Sequence, residues 1–371
     1  MRWCSGMWTF KASCVRLGAH RASPPSIDRR TALKGAAGVG LLAAGGLGLF
    51  GAGCSGNKED AGLQTVKVLS SQGNQVLTIQ TLVTTMGYDK RFGLAPQNLA
   101  VASGTNILGP LLTGEADICI FAGFSQLIAA IEKGADLKII GGASVKGQQA
   151  LFAKNPAIQR VKDLEGKTVG VGAIGAQLHQ VVSALLKKKN VDLSKVRFVN
   201  VGSSGDVFRA VVAGRVDAGN GQADVLSSLD EFGVHMIQDG DYAVELPEYT
   251  WQASFTSNAT IKAKRELLVK TLAAYCNAYR YAQNPGSRDD YVQAQVIALT
   301  PKDHDEAVKR AVSQWNYLQS RKIYAEDLVL ATDRVQYMQE LNVQLGGQKR
   351  ILPYDQLIDT SLAKEAVALL G

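Results

Sequence analysis

A glycine-rich stretch between an apolar run and a helical segment is the part of the sequence best suited to bind a charged or polar group. Gly170, Gly172 and Gly175 satisfy the spacing G-x-G-x-x-G, and Asp192 follows twenty residues after Gly172. Such loops bind dinucleotides when the acid ends the second strand and meets a ribose. Here Asp192 precedes the second predicted strand, residues 196–201. The loop is therefore predicted to hold an anion or polar group at a helix N-terminus, without a nucleotide.

Other patterns that would carry chemistry do not occur in the sequence. It has no G-x-S-x-G motif, no H-E-x-x-H motif and no zinc-type cysteine spacing, and Gly166-Lys167-Thr168 lacks the earlier glycine of a phosphate loop. His179 follows the glycine loop without an identified nucleophile or acid partner, so a hydrogen-bonding or packed ring is expected there. The sequence predicts no catalytic residue, no metal and no cofactor, which favours a binding protein over an enzyme.

The N-terminal region is predicted to be an export signal, residues 1–53. An apolar run over 35–53 follows a basic stretch, and Arg29 and Arg30 give this stretch a twin-arginine-like character. Cys54 ends a Leu-Phe-Gly-Ala-Gly-Cys sequence, which leaves two alternatives open, lipidation of the Cys54 thiol or simple cleavage nearby. We expect an extracytoplasmic protein in which residues 54–65 form a flexible tether.

Charge and composition limit the classes of protein to consider. The formal net charge of +7 is concentrated in the leader, since residues 1–53 hold seven of the 40 basic residues and one of the 33 acidic residues. The remaining chain carries a net charge of only +1, so nucleic acid is not expected as a partner. With 46% hydrophobic and 20% charged residues over 371 positions, the chain is expected to fold into two globular domains.

The elements beyond the tether indicate an α/β fold. Short apolar runs separated by helical segments are typical of a mainly parallel sheet covered on both faces. The pattern apolar-apolar-x-Gly-x-x-Asp-apolar occurs at 111–118 and again at 211–218. In each copy the glycine is expected to end a helix in a left-handed conformation before a two-residue turn and a strand. Later apolar stripes predict amphipathic helices, one of them starting at Thr300.

Several of these turns also carry a resemblance to a known family. They are the stretches 116–118, 133–141, 163–172, 198–202 and 214–218. In them the chain resembles the solute-binding proteins of ABC importers for sulfonates, taurine, nitrate or thiamine-related pyrimidines. The resemblance covers about 66–371 and implies a two-lobed type II periplasmic-binding-protein fold with a helical C-terminal segment packing on lobe I. It implies that lobe I is 66–148 plus 253–371 and that lobe II is 149–252.

The resemblance also implies a function. A monomer would capture a small polar or anionic organic solute, such as a sulfonate, taurine or nitrate, between the lobes and deliver it to ABC permease subunits at the membrane. A thiamine-pyrimidine or aromatic ligand in the same role stays open, as does an exported enzyme or a sensor module that uses the same cleft.

The candidate ligand-binding residues lie on loops that open helices. Free N–H groups at helix N-termini carry a partial positive charge and can hold an anionic or polar head group. The candidates are Gln72, Thr105, Ser125, Gly172, Gln177, His179, Ser203, Ser204, Asn220, Gln222 and Trp251. These loops contain no lone Arg or Lys, which disfavours a strongly ion-paired sulfonate.

Overall fold

Ten strands form two five-stranded sheets in the computed structural model of the chain, which describes residues 62–71, 73–101 and 104–371. The strands are β1 Gln64–Ser71, β2 Leu94–Val101, β3 Ile118–Gly123, β4 Leu137–Gly142, β5 Gln149–Ala153, β6 Thr168–Val171, β7 Arg197–Asn200, β8 Ala218–Gln222, β9 His235–Asp241 and β10 Gln252–Ser257. The first sheet has the order β2-β1-β3-β10-β4, and the second has the order β7-β6-β8-β5-β9.

Both sheets are mixed, with one reversed strand in each, and the expectation of mainly parallel sheets is confirmed. In the first, β1 is parallel to β2 and β3, whereas β10 lies antiparallel between β3 and β4. In the second, β6 is parallel to β7 and β8, whereas β5 lies antiparallel between β8 and β9. The strands β5, β9 and β10 were not predicted. In each sheet, the fourth strand of the order is the one that reverses direction.

Helices cover the sheets and fill the C-terminal third of the chain. They are α1 Asn74–Thr85, α2 Tyr88–Arg91, α3 Leu108–Thr113, α4 Phe124–Glu132, α5 Gln177–Lys188, α6 Ser204–Val212, α7 Leu229–Phe232, α8 Tyr242–Glu245, α9 Asn258–Ala282, α10 Arg288–Leu299, α11 His304–Arg321, α12 Thr332–Gln344, α13 Tyr354–Leu357 and α14 Thr360–Ala368. None of the helices in the described part of the chain is long and apolar enough to cross a membrane.

The repeated sequence pattern has the same structure in both sheets. The glycine of each copy is left-handed, with φ of 75° at residue 114 and 67° at residue 214. Asp117 Oδ2 accepts a hydrogen bond from the backbone N–H of Lys67 at 2.8 Å, and Asp217 Oδ2 accepts one from the backbone N–H of Thr168 at 2.8 Å. Each aspartate therefore joins the start of its own strand to the neighbouring parallel strand. The prediction for these turns is confirmed.

The chain passes between the sheets at 143–148 and again at 246–251, and the two passages lie side by side. The carbonyl oxygen of Ser144 accepts hydrogen bonds from the backbone N–H groups of Trp251, at 3.0 Å, and Gln252, at 2.9 Å. On the other side, Val145 N donates to the carbonyl of Ile323 at 2.8 Å, and Ala325 N donates to that of residue 143 at 2.9 Å. Three backbone segments therefore run together where the sheets meet.

The helices after β10 pack mainly on the first sheet. The buried side of α9 includes Leu268, Leu272 and Tyr275, which belong to the same hydrophobic core as β1. One boundary was predicted wrongly, because Thr300 is the left-handed C-cap of α10, and α11 begins at His304 with Asp303 as its N-cap.

Helix α11 is also bonded to the second sheet. Asp241, at the end of β9, is 5% exposed. Its carboxylate accepts hydrogen bonds from Tyr317 Oη at 2.6 Å and from Arg321 Nε at 2.9 Å, both on α11. Burial raises the pKa of Tyr317 well above its ordinary value, and the Asp241 charge adds to that rise.

The predictions for the export signal and for lipidation at Cys54 lie outside the described residues. Strand β1 begins at Gln64, so its first two residues fall within the segment predicted as tether.

Candidate functional site

A cavity of about 1160 Å³ is lined by residues of both sheets and of the helices that follow their strands. It is slightly larger than the 300–1,000 Å³ that is usual for small-molecule sites. Its wall on the first sheet includes Gly73, Asn74, Gln75, Phe121, Gly123 and Gln126. Its wall on the second sheet includes Gly172, Ala173, Ala176, Gln177, Ser203, Ser204 and Gln222. The cavity therefore lies where the ends of strands from both sheets meet.

Three helices begin at the cavity without a side-chain cap. The N-cap residues of α1, α4 and α5 are Gly73, Gly123 and Ala176, and none of them makes a side-chain capping bond. All three line the cavity. The first-turn N–H groups of a helix lack intrahelical partners and carry a partial positive charge. These helix ends can therefore hold the oxygen atoms of a ligand.

Helix α6 begins differently, because its N-terminus is already capped. Ser203 Oγ donates to Asp206 Oδ2 at 2.6 Å and accepts from the backbone N–H of Asp206 at 3.3 Å. Bonds from Ser203, and then the ion pair with Arg209, hold the pKa of Asp206 below its ordinary value. Ser204 Oγ accepts from Gln222 Nε2 at 3.2 Å. The Ser203 hydroxyl is thus used within its own helix turn, although it lines the cavity.

Amide side chains dominate the polar part of the wall. Among the described residues, seven glutamines line the cavity, namely Gln75, Gln126, Gln148, Gln149, Gln177, Gln222 and Gln252. Gln177 Nε2 donates to the carbonyl of Trp251 at 2.5 Å, and Gln252 Nε2 donates to the carbonyl of Phe121 at 3.3 Å. An amide presents both donors and an acceptor, so this wall suits a ligand that has hydrogen-bonding groups of both kinds.

Trp251 forms the aromatic part of the wall beside the passage between the sheets. The residue is 4% exposed. Its ring stacks on that of Tyr242, with centroids 6.3 Å apart and an interplanar angle of 23°, and the centroid of the Tyr249 ring lies 6.1 Å away. Because Gln177 of α5 bonds to its backbone, Trp251 is held between the second sheet and the start of β10. Trp251 is therefore part of the cavity wall at this point.

Charged residues also reach the wall, on helices rather than on the predicted loops. Arg209 lies on α6 and pairs with Asp206. Arg310 lies on α11, where its Nε donates to Glu306 Oε1 at 2.7 Å. Asp224 follows β8 and is 5% exposed. Burial raises the pKa of Asp224, and the nearby Arg310 charge partly opposes that rise.

The predicted site residues divide into three groups. Six line the cavity, namely Gly172, Gln177, Ser203, Ser204, Gln222 and Trp251. Ser125, His179 and Asn220 do not line it. Gln72 and the side chain of Thr105 lie outside the described residues.

The three residues away from the wall have other surroundings. Ser125 is 1% exposed, one position beyond the first residue of α4. His179 packs its ring against Phe198 at 4.6 Å, and its Nδ1 accepts from the backbone N–H of Gly175 at 3.1 Å. Burial lowers the pKa of His179. Asn220 is fully buried in the middle of β8. These three residues do not line the cavity, and their part in ligand binding stays a prediction.

Sequence reasoning missed several wall residues. Gln148 and Gln149 lie at the first passage between the sheets and at the start of the unpredicted strand β5. Arg310 comes from a helix far along the chain. Two nearby signals were available, because Gln126 follows the candidate Ser125 and Asp224 lies two residues after the candidate Gln222.

The wall offers little for covalent or metal chemistry. Within the described ranges, no group of three or more His, Cys, Asp or Glu could hold a metal ion. Cys119 and Cys276 are buried and unpaired, and neither lines the cavity. Burial raises the pKa of Cys119 to about 12 and that of Cys276 to about 11. Asp192 caps a short turn by accepting from Ser194 N at 3.0 Å, before β7 rather than at its end.

Solved structures with the same fold include two periplasmic binding proteins. The periplasmic aliphatic sulphonate binding protein SsuA from Escherichia coli is 17% identical, with a TM-score of 0.63 over 80% of this chain and 92% of that one. The periplasmic nitrate-binding protein NrtA from Synechocystis PCC 6803 is 12% identical, with a TM-score of 0.64 over 83% of this chain and 89% of that one. The fold predicted from the sequence is confirmed.

An enzyme shares the fold as well. The desulfurization enzyme DSZB is 15% identical, with a TM-score of 0.57 over 83% of this chain and all of that one. No curated protein sequence matches the chain. The family model described as NMT1/THI5 like matches residues 82–287, which is more than half of the sequence. With its two mixed sheets and the cavity lined by both, the chain belongs to the NMT1/THI5-like family and has the periplasmic-binding-protein fold.

Proposed function

We propose that the protein is the extracytoplasmic solute-binding component of an ABC importer. It captures a small polar organic solute in the cavity between its sheets and delivers that solute to permease subunits at the membrane. The observation that carries the proposal is the cavity itself, where three uncapped helix N-termini and seven glutamine side chains face one space. Membership of the NMT1/THI5-like family and the shared fold support this role.

The proposal includes the lobes inferred from the sequence. Residues 66–148 and 253–371 act as lobe I, and residues 149–252 act as lobe II. The strands of the first sheet lie within the ranges of lobe I, apart from the first residues of β1 and β10. The strands of the second sheet lie within the range of lobe II. Closure of the lobes around a ligand would change the surface that the permease meets. The protein acts as a monomer, released or lipid-anchored through Cys54 after export.

The wall supports an organic ligand more than a small inorganic anion. A sulfonate or taurine could place its oxygens at the ends of α1, α4 and α5, as the resemblance implies. The amide groups and the Trp251 indole suit the alternative equally, a thiamine-related pyrimidine or another aromatic solute. Nitrate would leave most of a cavity of about 1160 Å³ without contacts.

An exported enzyme in the same cavity is the less favoured function. DSZB shares the fold, but fold alone does not carry an activity. Neither buried thiol lines the cavity, and His179 is engaged with Gly175 outside the wall. Among the described wall residues there is no His or Cys, and the Ser203 hydroxyl is used with Asp206 to cap its own helix.

Fluorescence of Trp251 tests the proposed function. The chain beyond the predicted leader contains two tryptophans, Trp251 and Trp315. Trp315 donates its indole N–H to Ser287 Oγ at 3.0 Å and does not line the cavity. In the Trp315→Phe variant, Trp251 is the single reporter. We expect a saturable change in its emission, together with a rise in melting temperature, for at least one small organic solute.

The Trp251→Phe variant in the wild-type background is the control, because its remaining Trp315 should not respond. Native mass spectrometry of the protein purified from cells gives an independent readout of any solute that stays bound. Absence of an emission change, of a melting shift and of a co-purified solute would contradict the proposal.

A further inference from the structure

Asp224 lies where the main cavity meets a second, smaller cavity. The smaller cavity has a volume of about 240 Å³ and is lined by Asn74, Asp224, Gln295, Leu299, Pro301, Asp303, Glu306, Ala307 and Arg310. Asn74, Asp224 and Arg310 line both cavities. The Asp224 carboxylate therefore forms part of the wall between two spaces, although the residue is 5% exposed.

The Asp224 carboxylate has few partners for a buried charge. Asn74 Nδ2 donates to Asp224 Oδ2 at 3.4 Å, and the backbone N–H groups of Asp224 and Val225 give further support. Within the described residues, no Lys, Arg or His forms an ion pair with it. A carboxylate can accept about four hydrogen bonds, and buried charges are normally paired and fully hydrogen-bonded. Asp224 therefore has acceptor capacity left on the side of the cavities.

Arg310 attracts the Asp224 charge, but among the described contacts no hydrogen bond or ion pair joins the two side chains. Its Nε donates to Glu306 Oε1 at 2.7 Å, and the group lies over the Phe232 ring, 5.5 Å from the centroid. Around the smaller cavity, Asp224, Asp303 and Glu306 carry three negative charges against the one positive charge of Arg310. On the side of the smaller cavity, Asp224 therefore suits a positive or hydrogen-bond-donating group better than an anion, whereas the positive charges in the described wall of the main cavity are Arg209 and Arg310.

We propose that Asp224 is a specificity-determining residue that accepts hydrogen bonds from an N–H-bearing group of the ligand. The ligand class is a small organic solute with an ammonium, amidinium or amino-heterocycle group, its other end held by the helix N-termini of α1, α4 and α5. An inorganic oxyanion or a plain alkanesulfonate near Asp224 would leave the carboxylate unpaired and add like-charge repulsion. This inference rests on the proposed function and narrows it.

Matched pairs of small molecules test the inference on the wild-type protein by isothermal titration calorimetry. Taurine is compared with ethanesulfonate, and 4-aminopyrimidine with pyrimidine, because each pair differs by one amino group. Nitrate is the inorganic probe. We expect at least one amino member to bind about tenfold or more tightly than its partner, since a hydrogen bond to a buried charge is lost with the amino group.

Two variants assign the preference to Asp224. Asp224→Asn keeps the shape and the acceptor for Asn74 but removes the charge, so the preference for the amino member should fall by about tenfold. Asp230→Asn is the matched control, because Asp230 is exposed on α7 and does not line either cavity. It should retain the wild-type preference. If Asp224→Asn does not fold, the paired titrations and native mass spectrometry of the wild-type protein still show whether the protein prefers ligands with an N–H-bearing group.

The outcomes separate the two proposals. Equal or tighter binding of the members without an amino group, or a co-purified solute without N–H groups, overturns the role of Asp224 and leaves solute capture standing. An unchanged preference in Asp224→Asn also overturns it. Failure of every probe, with no solute co-purified, removes the proposed function and this inference together.

Discussion

Replacing Asp241 with asparagine should loosen the attachment of α11 to the second sheet. The Asp241 carboxylate accepts from the backbone N–H of Ala243 at 3.0 Å, from Tyr317 Oη at 2.6 Å and from Arg321 Nε at 2.9 Å. Asparagine retains one oxygen, which can still accept from Ala243 and Tyr317 because both bond to Oδ1, but it places an amide N–H donor against Arg321 Nε. The variant also removes the negative charge that attracts Arg321.

The magnitude follows from the exposure of each partner. A hydrogen bond to a buried charged group contributes about 1.5–3 kcal/mol, which applies to the Tyr317 hydroxyl. The Arg321 side chain is 34% exposed, so its ion pair is screened and adds about 1 kcal/mol. We expect Asp241→Asn to lower the free energy of unfolding by about 2–3 kcal/mol, because Tyr317 keeps only a neutral acceptor and Arg321 loses its ion pair. Tyr317→Phe removes the hydrogen bond to the buried charge and should cost about 1.5–3 kcal/mol.

Urea denaturation followed by circular dichroism measures these changes, and a double-mutant cycle isolates the coupling between Asp241 and Tyr317. Glu115→Gln is the matched control, because Glu115 is an exposed carboxylate in a turn. A loss in Asp241→Asn no larger than that in Glu115→Gln, within about 0.5 kcal/mol, would refute the reasoning.

Two further predictions concern packing and pH. A Cβ at Gly219 would lie 2.5 Å from Val207 Cγ1, so Gly219→Ala should destabilise the protein by about 1–3 kcal/mol in thermal melts. The control is Gly109→Ala on α3, where a Cβ would meet open space, and it should be neutral or slightly stabilising. His179 has a lowered pKa and accepts from Gly175 N, so its neutral ring contributes stability fully above about pH 6.5. That contribution should be lost as pH falls through the folded-state pKa, and the stability difference between wild type and His179→Gln should shrink on acidification. A difference that is constant with pH would contradict this assignment.

The repeated turns could be predicted because their signal is local. A glycine followed three residues later by aspartate determines a left-handed cap and a strand start, and both copies behave alike. Strand β10 could not be predicted in this way, because its sequence QASFTS is largely polar. Its polar side chains are buried and bonded to the neighbouring strand, for example Ser254 Oγ to the carbonyl of Ile120 at 3.3 Å. A buried strand with so many polar side chains is favourable only because the neighbouring strand supplies their hydrogen-bond partners.

The candidate site was predictable only where the wall follows a recognisable loop. Gln177 and Gln222 were predicted because each lies where a strand of the second sheet leads into a helix. Arg310 reaches the wall from α11, almost ninety residues after Asp224, so no sequence spacing joins the two. Asn220 differs, because this polar residue of a strand next to the site is fully buried and does not line the cavity.

The side-by-side backbone segments at the junction of the sheets share their hydrogen bonds. Residues 143–145 bond on one side to Trp251 and Gln252 and on the other to the stretch 323–325. Any opening of the cavity under the proposed function must therefore bend all three segments together or break the hydrogen bonds that join them.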